Sequence, residues 1–405
     1  MYTLGIYIYI LLVRLASVFG YKKAKQKLVG HKHTISVLKE SLKQDKDYVW
    51  FHVSSRGGFE QSRPMIERMH ATHPEYRIVL TFFSPSGYEL AKNYQQVDAV
   101  CYLPFDTRRN VKHFLDILQP KMAFFIKCEF WLNCLAELKR RSIPVYSISS
   151  VFENRRSMLG IVGARLRLAL HCFTHLFVQD DKSKENLKSI GINNVSVVGN
   201  TRFDRVVRVL EQARQIPLLE VFGEDARVFV AGCSERDDEA VYMPYFNKKA
   251  DWKLIILPNR IDDERIKAIE EQYEGTCVRY TRATMENIRN ARCVIIDSSD
   301  LLPVVYKYAD LAFIGGSFGR GAHNVLDAAV YGVPLLIGPE CNHSYEAHRL
   351  FECGGAVKVA NAYDFVVKMN QLSDESYSVG IGVAAGRYVM ENSGATAKIF
   401  SEIGL

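Results

Sequence analysis

Residues 311–339 read LAFIGGSFGRGAHNVLDAAVYGVPLLIGP, and the fold follows from this run. Leu311–Ile314 is a short apolar stretch suited to a buried strand. Gly315–Gly321 is a small-residue turn, the stretch around AAVYG is helical in character, and Pro334–Ile337 is a second apolar run. Strand, glycine-rich turn, helix and strand in so short a span predict one repeat of a doubly wound parallel sheet. Glycines alone would be explained by a turn that packs tightly. Their combination with polar side chains at a strand-to-helix junction points instead to a ligand. Gly316 and Ser317 allow close backbone approach, and exposed N–H groups at a helix start hold anions. Arg320 supplies charge-assisted hydrogen bonds for a phosphate or carboxylate. His323 and Asn324 offer neutral hydrogen bonding, and Asp327, expected one turn into the helix, a carboxylate for a sugar hydroxyl.

The same alternation extends in both directions. Upstream, Val228–Ala231, Lys253–Leu257 and Val294–Ile296 are strand-like, with amphipathic stretches between them. A second series comprises Tyr48–Ser54, Arg77–Phe83, Met122–Ile126, Val145–Ile148, Leu176–Val178 and Val195–Val198. A helix is expected to open at Arg63–His70, with Pro64 in its first turn. Two α/β halves of similar size meet near residue 210, predicting an amino-terminal domain over 31–210 and a carboxyl-terminal domain over 211–405. Such halves would face a cleft at the carboxyl ends of their sheets.

Composition narrows the function classes. The 405 residues carry 52 Lys and Arg against 45 Asp and Glu, a net charge of +7. That mild excess suits an anionic substrate or membrane surface and does not argue for nucleic acid. The nine cysteines form no CxxC pair, which disfavours a disulfide framework or structural zinc site and suggests a reducing compartment. The first twenty residues, MYTLGIYIYILLVRLASVFG, are apolar and aromatic, interrupted by Arg14 and followed by Lys22, Lys23, Lys25 and Lys27. Charges after the apolar run do not fit a secretory signal. Residues 1–30 are expected to attach the chain to a membrane, by a span or by a helix lying in the interface with its lysines toward anionic lipid. A buried first helix is the competing reading.

Three further blocks sit at strand exits. Ser54–Pro64 (SSRGGFEQSRP) has Gly57 and Gly58, which permit an unusual tight turn. Its Arg56 and Arg63 could meet an anionic substrate, and Glu60 is its nearest carboxylate. Lys127–Asn133 (KCEFWLN) places Glu129 beside Trp131, either as a sugar-binding carboxylate with an aromatic platform or as a structural partner of Lys127. Gly199–Arg205 (GNTRFDR) reads as a turn with a capping Asn or Thr, pinned by Arg–Asp pairs.

Taken together and in this order, FHVSSRGGFEQSRP, YLPFDTRRNVKHFLDILQP, KCEFW, GNTRFDRV and GGSFGRGAHNVLDAAVYGVPLLIGP resemble the 3-deoxy-D-manno-octulosonic acid (Kdo) transferases of lipopolysaccharide synthesis. The resemblance implies a GT-B glycosyltransferase fold, CMP-Kdo as donor, a lipid A precursor (lipid IVA) as acceptor, and residence at the cytoplasmic face of the inner membrane. It implies acceptor binding by the amino-terminal half and nucleotide binding by the other half, with no metal or cofactor. Nucleotide contacts carry over to Pro258 and Asn259, to Ser299, Asp300 and Leu301, and to Asn324, Val325, Leu326 and Asp327.

Four positions depart from the family's pattern. Its first motif runs Ser-x-Gly-Glu with the Glu as proposed base, and here Gly58 stands in that place. Asn259 replaces a basic or imidazole side chain, Asp300 a glycine, and Asp327 a glutamate. An active enzyme would then use Glu60, Glu129 or a water relay as base. The alternatives are a glycosyltransferase with another donor or acceptor, and a non-catalytic binding paralogue.

Overall fold

The computed structural model describes residues 2–43, 45–153, 160–248, 251–342 and 344–405. They form two compact units, Met1–Arg205 with Ser393–Leu405, and Val206–Asn392. Each is a seven-stranded, all-parallel sheet flanked by helices, as the strand–helix alternation predicts.

The first sheet contains β1 (Asp47–Val53), β2 (Tyr76–Phe82), β3 (Ala99–Tyr102), β4 (Met122–Ile126), β5 (Val145–Ser150), β6 (His175–Val178) and β7 (Val195–Val197), in the order β3-β2-β1-β4-β5-β6-β7. The chain turns back at β1, so β1 and β4 flank the switch point where ligands gather in such sheets. From Tyr48 and Ala123 onward both strands are buried on both faces, which explains why they are apolar there apart from His52. Trp50, Phe114 and Phe125 fill one side, and Phe51, Phe82 and Phe124 the other. Full burial of each such side chain is worth about 1.5–3 kcal/mol.

The second sheet contains β8 (Arg227–Ser234), β9 (Trp252–Pro258), β10 (Cys277–Arg279), β11 (Cys293–Ile295), β12 (Leu311–Ile314), β13 (Leu335–Ile337) and β14 (Ala356–Lys358), ordered β10-β11-β9-β8-β12-β13-β14. Its switch point lies between β8 and β12. Gly315 belongs there because a Cβ would fall 2.2 Å from the Cys233 carbonyl oxygen.

The expected assignment of 211–405 to the second domain differs at its end. The final helix, Ala395–Ile403, packs Ala395, Ile399 and Phe400 into the first unit's core. Its first amides are capped by Asp204, whose carboxylate accepts from Gly394 N at 2.5 Å and Thr396 N at 2.6 Å.

At the amino terminus, α1 (Tyr2–Val18) and α2 (Lys22–Ser41) form a hairpin. No helix among the described residues is long and apolar enough to cross a membrane. One side of α1 is tied down. Tyr2 donates to Asp106 at 2.6 Å, Thr3 pairs with Asn133, and the Tyr9 hydroxyl accepts from Lys27 at 2.6 Å. On the other side Leu4, Ile8, Leu11, Leu12, Leu15 and Phe19 are exposed. Lys22, Lys23 and Lys25 are exposed, but Lys27 is not the outward lysine expected. It is buried over the Phe83 ring, 3.1 Å from its centroid.

Candidate functional site

In the first unit, α3 (Arg56–Thr72) begins directly after β1. Its start corrects the expected turn at Gly57–Gly58. Neither glycine has positive φ, and both lie in the first helical turn. Ser55 is the N-cap, accepting from Gly58 N at 3.3 Å. Pro64 sits in the helix interior rather than its first turn, because the helix opens eight residues earlier, at Arg56. On a helix, Gly58 and Glu60 do not share a face. Glu60 is taken up by Arg205 at 3.1 Å and by Arg63 at 3.5 Å. Arg63 also pairs with Glu67 at 3.2 Å, so it is a structural clasp within α3. Arg56 is exposed at the helix start.

Glu129 is placed differently. At the end of β4 the backbone of Lys127 turns into the left-handed region, with φ of 65°. Lys127 N donates to Ile148 O at 2.8 Å, and Lys127 O accepts from Ser150 Oγ at 2.8 Å, which holds the bend. Such strain tends to collect at working sites. The bend sets Glu129 against Trp131, whose Nε1 donates to Oε2 at 3.1 Å, and within hydrogen-bonding reach of Ser54. Burial raises the Glu129 carboxyl above the ordinary range. The Ser54 and Trp131 hydrogen bonds and the charge of Lys127 pull the other way. Around Gly57, a Cβ would lie 3.7 Å from Arg202 Nη2 and 4.0 Å from Lys127 Nζ. The switch point therefore combines a helix start, two cations and a half-buried carboxyl of raised pKa.

The segment 199–205 is not the turn expected: only Gly199 and Asn200 precede a helix, Thr201–Glu211, which takes in Thr201–Arg205. Asn200 Oδ1 accepts from Arg202 N at 3.0 Å and from Gln61 Nε2 at 2.8 Å, and Thr201 donates to Gln61 O at 2.7 Å. It fastens the end of the sheet to α3, and this is what brings Arg202 and Arg205 to the site.

In the second unit, the glycine-rich loop is held by a residue outside it. The Asp238 carboxylate accepts from Gly316 N at 2.7 Å, Phe318 N at 3.1 Å and Glu235 N at 2.9 Å. Amides expected to hold a ligand anion thus hold the protein's own. Burial pushes the Asp238 carboxyl up to about 6, against the lowering effect of these three donors. Gly316 has φ of 75°, and a Cβ there would meet Gly321 O at 2.5 Å, so the loop needs glycine. Ser317 is buried, with its hydroxyl donating to Ile314 O at 2.6 Å and accepting from Gly338 N at 2.9 Å. Arg320 is exposed, and Asn324 half-buried. Asp327 is the second residue of helix Leu326–Ala329, nearer its start than expected. Val325 and Leu326 are buried.

Asn259 follows Pro258 at the end of β9, and its Nδ2 donates to Glu235 Oε1 at 2.9 Å. His323 Nε2 lies 3.8 Å from the same oxygen. Opposite Gly319, Glu235 Oε2 and Asp237 Oδ2 stand 3.1 and 3.3 Å from where a Cβ would be. Ser299, Asp300 and Leu301 form a short 3-10 turn after β11, with Asp300 exposed and Leu301 buried. The Ser299 side chain lies outside what is described. Asn259, His323 and the glycine-rich loop thus converge around Glu235.

Sequence reading missed Glu235 and Asp238, although CSERDDEA follows a strand and signals a polar strand-to-helix exit like the others. It also passed over His52, a lone imidazole inside the apolar run YVWFHVS. No group of three or more His, Cys, Asp or Glu side chains among the described residues is arranged to hold a metal.

Comparison with known proteins bears on both units. The family described as 3-deoxy-D-manno-octulosonic-acid transferase (kdotransferase) matches residues 22–205. A 3-deoxy-D-manno-octulosonic acid transferase of Aquifex aeolicus is 26% identical over 82% of this chain and 88% of its own length. A bifunctional glycosyltransferase/methyltransferase of Fusobacterium nucleatum is 23% identical over 83% of this chain. The chain spans 54% of that protein's length. Among solved structures, the UDP-GlcNAc 2-epimerase of Neisseria meningitidis bound to UDP-GlcNAc covers 88% of this chain and 99% of its own, with a TM-score of 0.62 at 15% identity. That likeness speaks for the fold: paired Rossmann-like units of the GT-B kind.

Proposed function

We propose that the chain, whose residues 22–205 match the Kdo transferase family, transfers Kdo from CMP-Kdo to a lipid A precursor such as lipid IVA. The observation that carries the chemistry is Glu129, a half-buried carboxylate of raised pKa beside Lys127 at the sheet's switch point. It takes the proton of the acceptor hydroxyl as the glycosidic bond forms, the role for which Gly58 has no side chain. Glu60, engaged by two arginines, is the weaker candidate. Arg202 and Lys127 offset acceptor charge near Gly57. In the second unit the loop braced by Asp238, with Asn259, His323 and Asp327, receives the nucleotide sugar, and Arg320 meets its phosphate.

The exposed apolar side of α1 supports attachment to the cytoplasmic face of the inner membrane. The 17-residue helix is about 25 Å long, short of a roughly 30 Å hydrocarbon core, which favours lying in the interface.

A second reading, a different donor or a binding paralogue, is favoured by one observation. Glu235 and Asp237 crowd the glycine-rich loop with negative charge, which suits a donor richer in hydroxyls than in carboxylates. The deciding experiment offers CMP-Kdo and lipid IVA to the unaltered protein and to Glu129→Gln. Transfer abolished by Glu129→Gln supports the proposal. Transfer at equal rates by both removes Glu129 as base, and CMP binding without transfer by either favours the second reading.

A further inference from the structure

His52 is fully buried in β1, yet its imidazole reaches the candidate base. On one side Nδ1 lies 2.9 Å from Thr81 Oγ1. That hydroxyl also accepts from Trp50 Nε1 at 2.8 Å and faces Phe51 O at 3.4 Å. The tautomer is set from the other side of the ring: the Trp131 indole N–H is a donor only and points at Nε2 at 3.0 Å, so Nε2 is the acceptor and the neutral ring carries its proton on Nδ1, facing the Thr81 hydroxyl. The same indole N–H points at Glu129 Oε2 at 3.1 Å, and the two acceptors are 3.9 Å apart. One donor is thus split between an imidazole and a carboxylate.

We infer that His52 is a positioning residue that withholds part of the Trp131 N–H from Glu129 and so keeps that carboxylate basic. A bond shared between two acceptors stabilises each less than an undivided one. His52 can do this because burial drives its own pKa down to about 3, so it stays neutral and adds no positive charge beside the base. The other groups facing Glu129 are Ser54 from the β1 exit and Lys127 from β4. Those facing His52 are Thr81 from β2 and the rings of Trp50, Phe125 and Trp131.

The inference rests on Glu129 as base, but its test needs no turnover. The carboxyl of Glu129 is titrated by carbon NMR in the full chain without substrate, for the unaltered protein, His52→Phe and Trp131→Phe. Phe at 52 keeps the site dry while removing the competing acceptor, so the Glu129 pKa should fall by roughly 0.5–1 unit. Phe at 131 removes the donor, so it should rise by a similar amount. A merely structural role would open both sites to water and lower both. If His52→Phe does not fold, Thr81→Val frees the Nδ1 proton to move to Nε2, and the same fall is expected. An unchanged or raised Glu129 pKa in the His52 variant, or in Thr81→Val where that replaces it, overturns the inference. So does a nitrogen spectrum placing the His52 proton on Nε2. Loss of Kdo transfer with these shifts absent would leave the base assignment standing and this network refuted.

Discussion

Gly58→Glu restores the carboxylate that the resemblance places at the third position of α3, and its consequences can be worked from the local geometry. A Cβ at position 58 would lie 3.5 Å from Val53 Cβ and 3.8 Å from Ser55 Oγ, ordinary contacts that need no backbone shift. The residue is helical, so replacing glycine gains about 0.5 kcal/mol in propensity. A carboxylate in the first turn of a helix gains about 0.3–1 kcal/mol from the N-terminal dipole. Ser55 already caps the helix, and a Glu three residues on could return a bond to the Ser55 amide, completing a capping box. Partial burial of the new charge offsets some of this, leaving a net gain of about 1 kcal/mol. That is a rise of roughly 2–4 °C in melting temperature for a unit of this size. If position 58 also limits the chemistry, the new base should raise the rate of Kdo transfer by up to about 10²–10⁴-fold. The two readouts are thermal unfolding and transfer from CMP-Kdo to lipid IVA. A fall of several degrees would refute the packing argument. A stable variant with unchanged transfer would refute the idea that the missing glutamate limits catalysis, and would leave Glu129 as the sufficient base.

Glu129→Gln should leave the fold intact and lower kcat about 10²–10⁴-fold. Because the carboxyl is raised, the acidic limb of the pH–rate profile should lie above that of an ordinary glutamate, and a limb at the ordinary position contradicts the assignment. Asp238 should shed its proton near pH 6, and the Gly316 and Phe318 amide resonances should move downfield with that midpoint. Its raised pKa means the folded state keeps the proton longer than the unfolded chain. Its contribution to stability therefore declines as pH rises from about 4 to about 6 and is level above that. A loop whose amides do not titrate would dismiss Asp238 as its brace. Leu11→Glu with Leu15→Glu should weaken sedimentation with anionic vesicles by more than tenfold at unchanged melting temperature, since both side chains are exposed. Equal sedimentation would remove α1 as the membrane face.

The sequence determined the sheets because strands buried on both faces must be almost wholly apolar, as Trp50–Val53, apart from His52, and Leu311–Ile314 are. It did not reveal β3, β10 or β14. All three are strands of only three or four residues at sheet edges, too short for an apolar run to stand out as a strand. The loops at strand exits were visible as glycines and arginines, because a ligand-facing junction must depart from the apolar pattern. Which carboxylate was free was not visible. Glu60 and Glu129 both stand at strand-to-helix exits, and only the tertiary fold brings Arg205 onto Glu60 and places the Trp131 N–H between Glu129 and His52. The same holds for Asp238, far in sequence from the amides of Gly316 and Phe318 that it holds. Local periodicity reports what each segment buries. The state of a charge depends on the groups that folding gathers around it, and those come from elsewhere in the chain.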